Sequence, residues 1–152
     1  MSNAAPQRAW ALSTLSRSDV IPSFVLESWL GAYRNSDRAG VVPNNLYKPV
    51  YTDAIRQLRE RGMDISVAHN KNRQDHILGF IAHERTRDGV PVVHIAWVKD
   101  LYREYKQDIL ASLFEQAGVD PESKFFFTFD TGWARKFAGA RYQPAIARRK
   151  DV

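Results

Sequence analysis

The sequence predicts a mixed α/β or α+β protein with helices on the faces of one β-sheet. Segments with apolar residues spaced three or four apart alternate along the chain with short segments rich in Val, Ile and Phe. With 44% hydrophobic and 26% charged residues, the composition is that of a globular chain. The alternation excludes the all-helical and all-β classes. The length of 152 residues predicts one domain over 1–152, with 1–8 as a flexible N-terminus.

The first part of the chain predicts one strand and two helices. Residues 9–15 read as a short opening strand, and 16–35 as an amphipathic helix with Pro22 near its start. Residues 35–45 are rich in Ser, Asp, Gly, Pro and Asn, which is typical of a loop. A second helix follows and stops at Gly62.

Beyond Gly62 the apolar period changes to that of strands. We predict three antiparallel strands, a helix, a strand, a short helix and a last strand, at residues 64–69, 76–84, 90–98, 105–117, 124–129, 132–138 and 142–147. The complete order is therefore strand, two helices, three strands, helix, strand, helix, strand.

Charge and cysteine content limit the function classes. Lys and Arg number 22 against 17 Asp and Glu, a net charge of +5, which favours an anionic partner such as a nucleic acid, a nucleotide-like cofactor or an acidic protein surface. The absence of cysteine excludes disulfides, thiolate metal sites and cysteine nucleophiles. No signal peptide is evident, and apolar runs such as 90–98 are too short to span a bilayer. We expect a cytoplasmic protein without membrane contact.

Other motifs carry little signal. The four histidines at 69, 76, 83 and 94 lack the spacing of a metal site, so we expect no metal. No Gly-x-Ser-x-Gly elbow is present. Trp133 with Arg135 and Lys136 could form a small aromatic and basic surface, although a core tryptophan beside solvated cations is the simpler interpretation.

Local sequences in this order resemble the GNAT superfamily of N-acetyltransferases. Residues 77–82, Ile-Leu-Gly-Phe-Ile-Ala, are similar to the family's third strand, and 92–98 followed by 99–103 to its fourth strand and the exit from it. Residues 125–129 and 134–142 resemble the fifth strand, the short helix and the sixth strand. The resemblance covers most of the chain and implies an acyl-CoA N-acyltransferase-like fold that transfers acetyl from acetyl-CoA to an amine.

The resemblance also implies where the cofactor binds. A diphosphate is held by backbone N–H groups at a helix N-terminus, where the helix dipole adds positive charge. The family has glycines there, but 103–108 reads Arg-Glu-Tyr-Lys-Gln-Asp. The implied pantetheine contacts are the backbones of Val98 and Lys99, and the implied pyrophosphate contacts are Arg103, Glu104, Tyr105, Lys106, Gln107 and Asp108. Two of these are carboxylates, and the alternative interpretation is an ordinary charged helix start.

Acetylation of an amine requires a base for the ammonium proton and an acid for the leaving thiolate. His94 resembles the proton relay of some family members, and Glu84 is the second candidate base. The alternatives are a histidine packed in the sheet and a solvated strand end. The family's acid is a tyrosine in the short helix, where this chain has Phe137, so Tyr142 or Tyr105 would have to substitute.

Three hypotheses follow. The first is an N-acetyltransferase that uses acetyl-CoA on a small-molecule or protein amine. The second is a catalytically inactive protein of the same fold, possible for a phage-encoded chain, which acts as an interaction or structural component with a protein partner. The third, a basic nucleic-acid-binding domain, has no supporting motif.

Overall fold

The computed structural model of the chain describes residues 9–16, 19–36, 43–100 and 103–149. Its elements, in chain order, are β1 (Trp10–Thr14), α1 (Ser23–Arg34), α2 (Asn44–Arg61), β2 (Asp64–Asn70), β3 (Arg73–Arg85), β4 (Pro91–Val98), α3 (Arg103–Ala117), β5 (Phe125–Phe127), β6 (Ala140–Tyr142) and a C-terminal 3₁₀ helix (Pro144–Arg148). This confirms the predicted mixed class of sheet and helices. Among the described residues, none of the helices has the length and hydropathy of a membrane-spanning segment.

The six strands form one sheet in the order β1-β2-β3-β4-β5-β6. The first four strands pair antiparallel, whereas β4 with β5 and β5 with β6 pair parallel. Each face of the sheet carries an apolar core. On one face, α1 and α2 bury side chains such as Trp29 and Ile55 against Phe80. On the other, α3 buries Leu113 and Phe114.

Helix boundaries follow proline and glycine. The first predicted helix was expected from residue 16, but α1 begins at Ser23, after Pro22, whose carbonyl accepts the N–H of Leu26 at 3.1 Å. Helix α2 ends where predicted, because Gly62 adopts φ 119°, a left-handed conformation that a glycine takes without strain. The predicted loop at 35–45 lies partly outside the described residues.

The predicted short helix and last strand are wrong in their details. Residues 132–138 form successive turns, with Gly132 at φ 91°. The last strand covers Ala140–Tyr142 rather than 142–147, and the chain then enters the 3₁₀ helix at Pro144. Proline has no N–H for a strand ladder, which explains why the strand stops there.

Glycine permits two close backbone approaches. A Cβ at Gly79 would lie 2.8 Å from the carbonyl oxygen of Trp97 and 3.3 Å from Ile109 of α3, so its absence lets α3 lie on the sheet. A Cβ at Gly139 would lie 1.8 Å from the carbonyl oxygen of Ser123. Only glycine therefore fits at the start of β6, beside the loop that leads into β5.

Candidate active site: a cleft where two strands part

Strands β4 and β5 pair over only two residues each and then diverge. The register joins Val92 to Phe126 and Val93 to Phe127. Just beyond β5, the Phe129 N–H donates a hydrogen bond to the His94 carbonyl of β4 at 3.0 Å. At the same place β4 contains a bulge, because Ala82 and His83 of β3 face Ile95 and Val93, which leaves His94 as the extra residue. A bulge bends its strand, which turns the rest of β4 away from β5.

The divergence leaves one edge of β4 open. The His94 carbonyl points toward β5, whereas the Lys99 N–H donates to the Leu78 carbonyl on the opposite side at 2.8 Å. Because backbone groups alternate along a strand, those of Ala96 and Val98 point away from β3 and into the gap. No strand in the described part of the chain pairs with them. The resemblance assigned the backbones of Val98 and Lys99 to the cofactor, but the Lys99 N–H is used within the sheet.

The gap is a cleft of about 900 Å³. Its walls are the open edge of β4, the last turn of α1, the first turns of α3 and the turns that follow β5. The polar and aromatic residues that line it include Asn35, Ser36, Trp97, Asp100, Lys106, Gln107, Thr131, Trp133, Arg135 and Lys136. This size suits a small-molecule ligand.

The charges that line the described cleft are mainly positive. Lys106, Arg135 and Lys136 face one carboxylate, that of Asp100. The Lys106 Nζ lies 3.7 Å from the Asp100 Oδ1, and both side chains are exposed, so this pair is weak. Among the described residues, Arg135 and Lys136 have no ion-pair partner. The cleft therefore favours an anionic ligand.

The turns after β5 hold these cations on a rigid support. The indole of Trp133 donates to the Phe129 carbonyl at 3.0 Å and stacks on Phe125 at a centroid distance of 6.1 Å. The Gly132 N–H donates to the Asp130 Oδ1 at 3.0 Å, which closes the first turn. Sequence reasoning treated Arg135 as solvated, because nothing in the sequence shows that the turn faces a cleft.

The predicted cofactor residues separate into two groups. Val98, Lys106 and Gln107 line the cleft. Tyr105 instead meets the Trp10 ring edge-on at 6.4 Å, and Asp108 is exposed. Helix α3 begins at Arg103, but the side chains of Arg103 and Glu104 lie outside the described part of the structure.

The predicted bases lie inside the protein rather than in the cleft lining. His94 is fully buried, its Nδ1 is 2.7 Å from the Thr128 Oγ1, and its Nε2 bonds to the Glu84 Oε2. Glu84 also accepts from the Arg61 Nη2 at 2.9 Å, and these two side chains are only 7% and 8% exposed. We call Arg61, Glu84, His94 and Thr128 the polar network. Sequence reasoning did not identify Arg61 or Thr128 as site residues.

The network has a defined charge arrangement. Burial lowers the pKa of His94, although the hydrogen bond and charge of Glu84 act in the opposite direction. For Glu84, burial alone raises the pKa, but the hydrogen bonds from His94 and Arg61 outweigh it, so the pKa lies below its usual value. A charged Glu84 accepts from His94 Nε2–H, and neutral His94 then accepts the Thr128 O–H at Nδ1.

The remaining candidates also lie outside the cleft lining. Tyr142 ends β6 and packs on the Phe127 ring at 5.2 Å. Phe137 packs on Phe114 at 5.1 Å, and a phenyl ring has no proton to donate. No group of three His, Asp or Glu side chains within the described ranges could hold a metal ion.

Stability should fall as the pH drops below about 6.5, the usual pKa of histidine. Burial lowers the pKa of both His83 and His94, so below that pH the unfolded chain binds more protons than the folded chain. The slope is about 1.4 kcal/mol per pH unit for each histidine that stays neutral in the fold. Protonation of Glu84 lowers the stability further, but only at lower pH, because its pKa lies below the usual value. Melting temperatures between pH 8 and pH 5 measure this, and a flat profile would contradict it.

Comparisons with known proteins give only distant likenesses. No protein-family model matches the chain, and no curated protein matches it in sequence. A conserved protein of unknown function from Staphylococcus epidermidis has 14% identity and a TM-score of 0.45, over 76% of this chain and 42% of its own length. A GNAT-family acetyltransferase from Staphylococcus aureus has 12% identity and a TM-score of 0.40, over 71% of this chain and 66% of that one.

An acetyltransferase from Trypanosoma brucei has 19% identity and a TM-score of 0.31, over 72% of this chain and 78% of that chain. This chain spans less than half the length of the Staphylococcus epidermidis protein. At these scores, neither the family nor the function of this chain rests on the comparisons. The fold class rests on the strands and helices themselves.

Proposed function

We propose that the chain is an N-acetyltransferase that binds acetyl-CoA in the cleft between β4 and the turns after β5. The observation that carries this proposal is the open edge of β4, where the backbone groups of Ala96 and Val98 face the cleft. An extended chain with amide groups can bind such an edge as a further strand would. The pantetheine arm of CoA has two amides and suits this edge.

The positive wall of the cleft suits the phosphates of the same ligand. Lys106 on α3 and the pair Arg135 and Lys136 on the turns after β5 supply charge from two parts of the lining. The first turn of α3 adds backbone N–H groups that have no partner within the helix, together with the positive end of the helix dipole. Direct contacts from cationic side chains would therefore take over the role that glycine-rich backbone has in the family.

The reaction joins the acceptor nitrogen to the thioester carbon and breaks the carbon–sulfur bond. The acceptor ammonium loses one proton before attack, and the departing thiolate gains one. Neither His94 nor Glu84 lines the cleft, so we assign both proton transfers to water there. Turnover should then rise with pH until the acceptor amine is mostly deprotonated. The small polar side chains Asn35, Ser36 and Thr131 line the side on which we place the acceptor.

Calorimetric titration with acetyl-CoA tests the proposal. We expect a dissociation constant below about 1 mM, and we expect the double reversal Arg135→Glu, Lys136→Glu to weaken binding at least about tenfold. The matched control is Arg56→Glu, Lys124→Glu, which changes the net charge equally at two exposed residues outside the cleft. Pantetheine, which has no phosphate, should bind the reversed variant and the wild type alike. A wild type that binds neither ligand would contradict the proposal.

A non-catalytic protein of the same fold is the second candidate. The observation that favours it is the absence of a buried acid or base from the described cleft lining, together with Phe137 in the place of the family's acid. Binding of acetyl-CoA without release of CoA thiol, across a panel of small and protein amines, would support this candidate over the enzyme.

A further inference from the structure

We propose that the polar network fixes the place where β4 and β5 separate, which we call the fork, so that His94 and Glu84 are positioning residues. The network joins five parts of the fold: the end of α2, the end of β3, the bulge of β4, the segment after β5 and the C-terminal 3₁₀ helix. All of its side chains lie in the protein interior, and they meet beside the place where β4 and β5 separate.

At the fork, one residue makes two bonds to the departing strand. The carbonyl of His94 accepts the Phe129 N–H at 3.0 Å, and its ring accepts the Thr128 hydroxyl across 2.7 Å. His94 is also the extra residue of the β4 bulge. The residue that bends β4 is therefore the one that holds the end of β5, and both branches of the fork start from it.

The other end of the network is anchored firmly. The Arg61 guanidinium holds Glu84 with two of its nitrogens and donates through the third to the carbonyls of Ile146, at 2.9 Å, and Arg149, at 2.5 Å. Glu84 in turn fixes the His94 ring. Both ring nitrogens of His94 are thus occupied within a fully buried site, which leaves none to contact a ligand.

Residues of the cleft lie close in sequence to His94 on β4 and to Thr128 after β5. Ala96 and Val98, with the open edge, follow His94 by two and four residues, and Thr131 follows Thr128 by three. A loss of the hydrogen bond between Thr128 and His94 should therefore loosen both walls of the cleft. It should leave the β2–β3 hairpin and α2 unaffected.

Hydrogen exchange of single amides tests this without any ligand. In Thr128→Val, which loses the hydroxyl at similar volume, the Phe129 amide should exchange at least about tenfold faster. The Met63 amide, which donates to the Leu58 carbonyl at the end of α2, should not change. Thr128→Ser keeps the hydroxyl and should restore wild-type exchange. Equal exchange of the Phe129 amide in the valine and serine variants overturns the proposal.

If the valine variant fails to fold, the wild type decides the question. Its Phe129 amide must then be protected as strongly as the amides of β2 and β3, and exchange at the rate of an exposed turn overturns the proposal.

A second experiment measures acetyl-CoA binding and therefore rests on the proposed function. Thr128→Val should weaken acetyl-CoA binding about tenfold, whereas Ile55→Val, a destabilising core change on α2, should not. Equal weakening in both variants overturns the positioning role. Should the wild type not bind acetyl-CoA, the proposed function fails, and the exchange measurements still decide the role of the network.

Discussion

Glu84→Gln is expected to lower the free energy of unfolding by about 3–5 kcal/mol, because it leaves the Arg61 guanidinium buried without a counter-charge. Arg61 and Glu84 are each less than a tenth exposed, so water does not replace the lost partner. Folded proteins are stable by only about 5–15 kcal/mol in total. Urea denaturation at neutral pH measures the change.

Two controls separate this cause from a general sensitivity to mutation. Glu27→Gln breaks the ion pair with Lys48, which has the same 2.9 Å separation but is more than half exposed. Such a pair is worth at most about 1 kcal/mol. The double variant Arg61→Leu, Glu84→Leu removes both charges and should be more stable than Glu84→Gln. A loss for Glu84→Gln no larger than that for Glu27→Gln would show that the buried charge pair contributes little.

Gly139→Ala is expected to cost at least about 4 kcal/mol, or to prevent folding at 37 °C, which places it among the most severe single substitutions. The new Cβ would lie 1.8 Å from the Ser123 carbonyl oxygen and 2.9 Å from that of Pro121. Both are backbone atoms, which cannot rotate away as a side chain can. Strand β6 would have to move, and the bond from the Phe125 N–H to the Gly139 carbonyl would break.

Gly31→Ala is the matched control for this prediction. Gly31 lies within α1, and nothing stands within 4 Å of the place where its Cβ would be. Alanine there should stabilise the protein by about 0.5–1 kcal/mol, because it reduces the freedom of the unfolded chain. Thermal denaturation of the two variants compares them directly. A mild effect for Gly139→Ala would mean that β6 is not held against the loop before β5.

The sequence predicted the strands and helices that have a strong apolar period. Strands β2 to β4 were found because Ile65, Val67 and Phe80 repeat within short segments that turns separate. The turns at 132–138 were mistaken for a helix, because Trp133, Ala134 and Phe137 have helical spacing although tertiary packing decides their place. Spacing alone cannot distinguish a buried turn from a helix of the same length.

The candidate site was less predictable than the fold. The start of α3 and the end of β4 were expected at a ligand and do line the cleft. The environments of Glu84 and His94 depend on Arg61 and Thr128, which lie 23 and 34 residues away along the chain. Such contacts are set by the register of the sheet, and no local pattern reports them. The sequence therefore predicted a catalytic role for both residues, whereas neither lines the cleft and we propose that they position its walls.

The two aromatic residues in the cleft walls give the protein an optical reporter. Of its four tryptophans, Trp97 and Trp133 line the cleft from β4 and from the turns after β5, whereas Trp10 and Trp29 are buried in the two cores. A ligand that enters the cleft changes the surroundings of both of these residues at once. Occupancy should therefore change the intrinsic fluorescence of the chain, so that candidate ligands can be screened without a label.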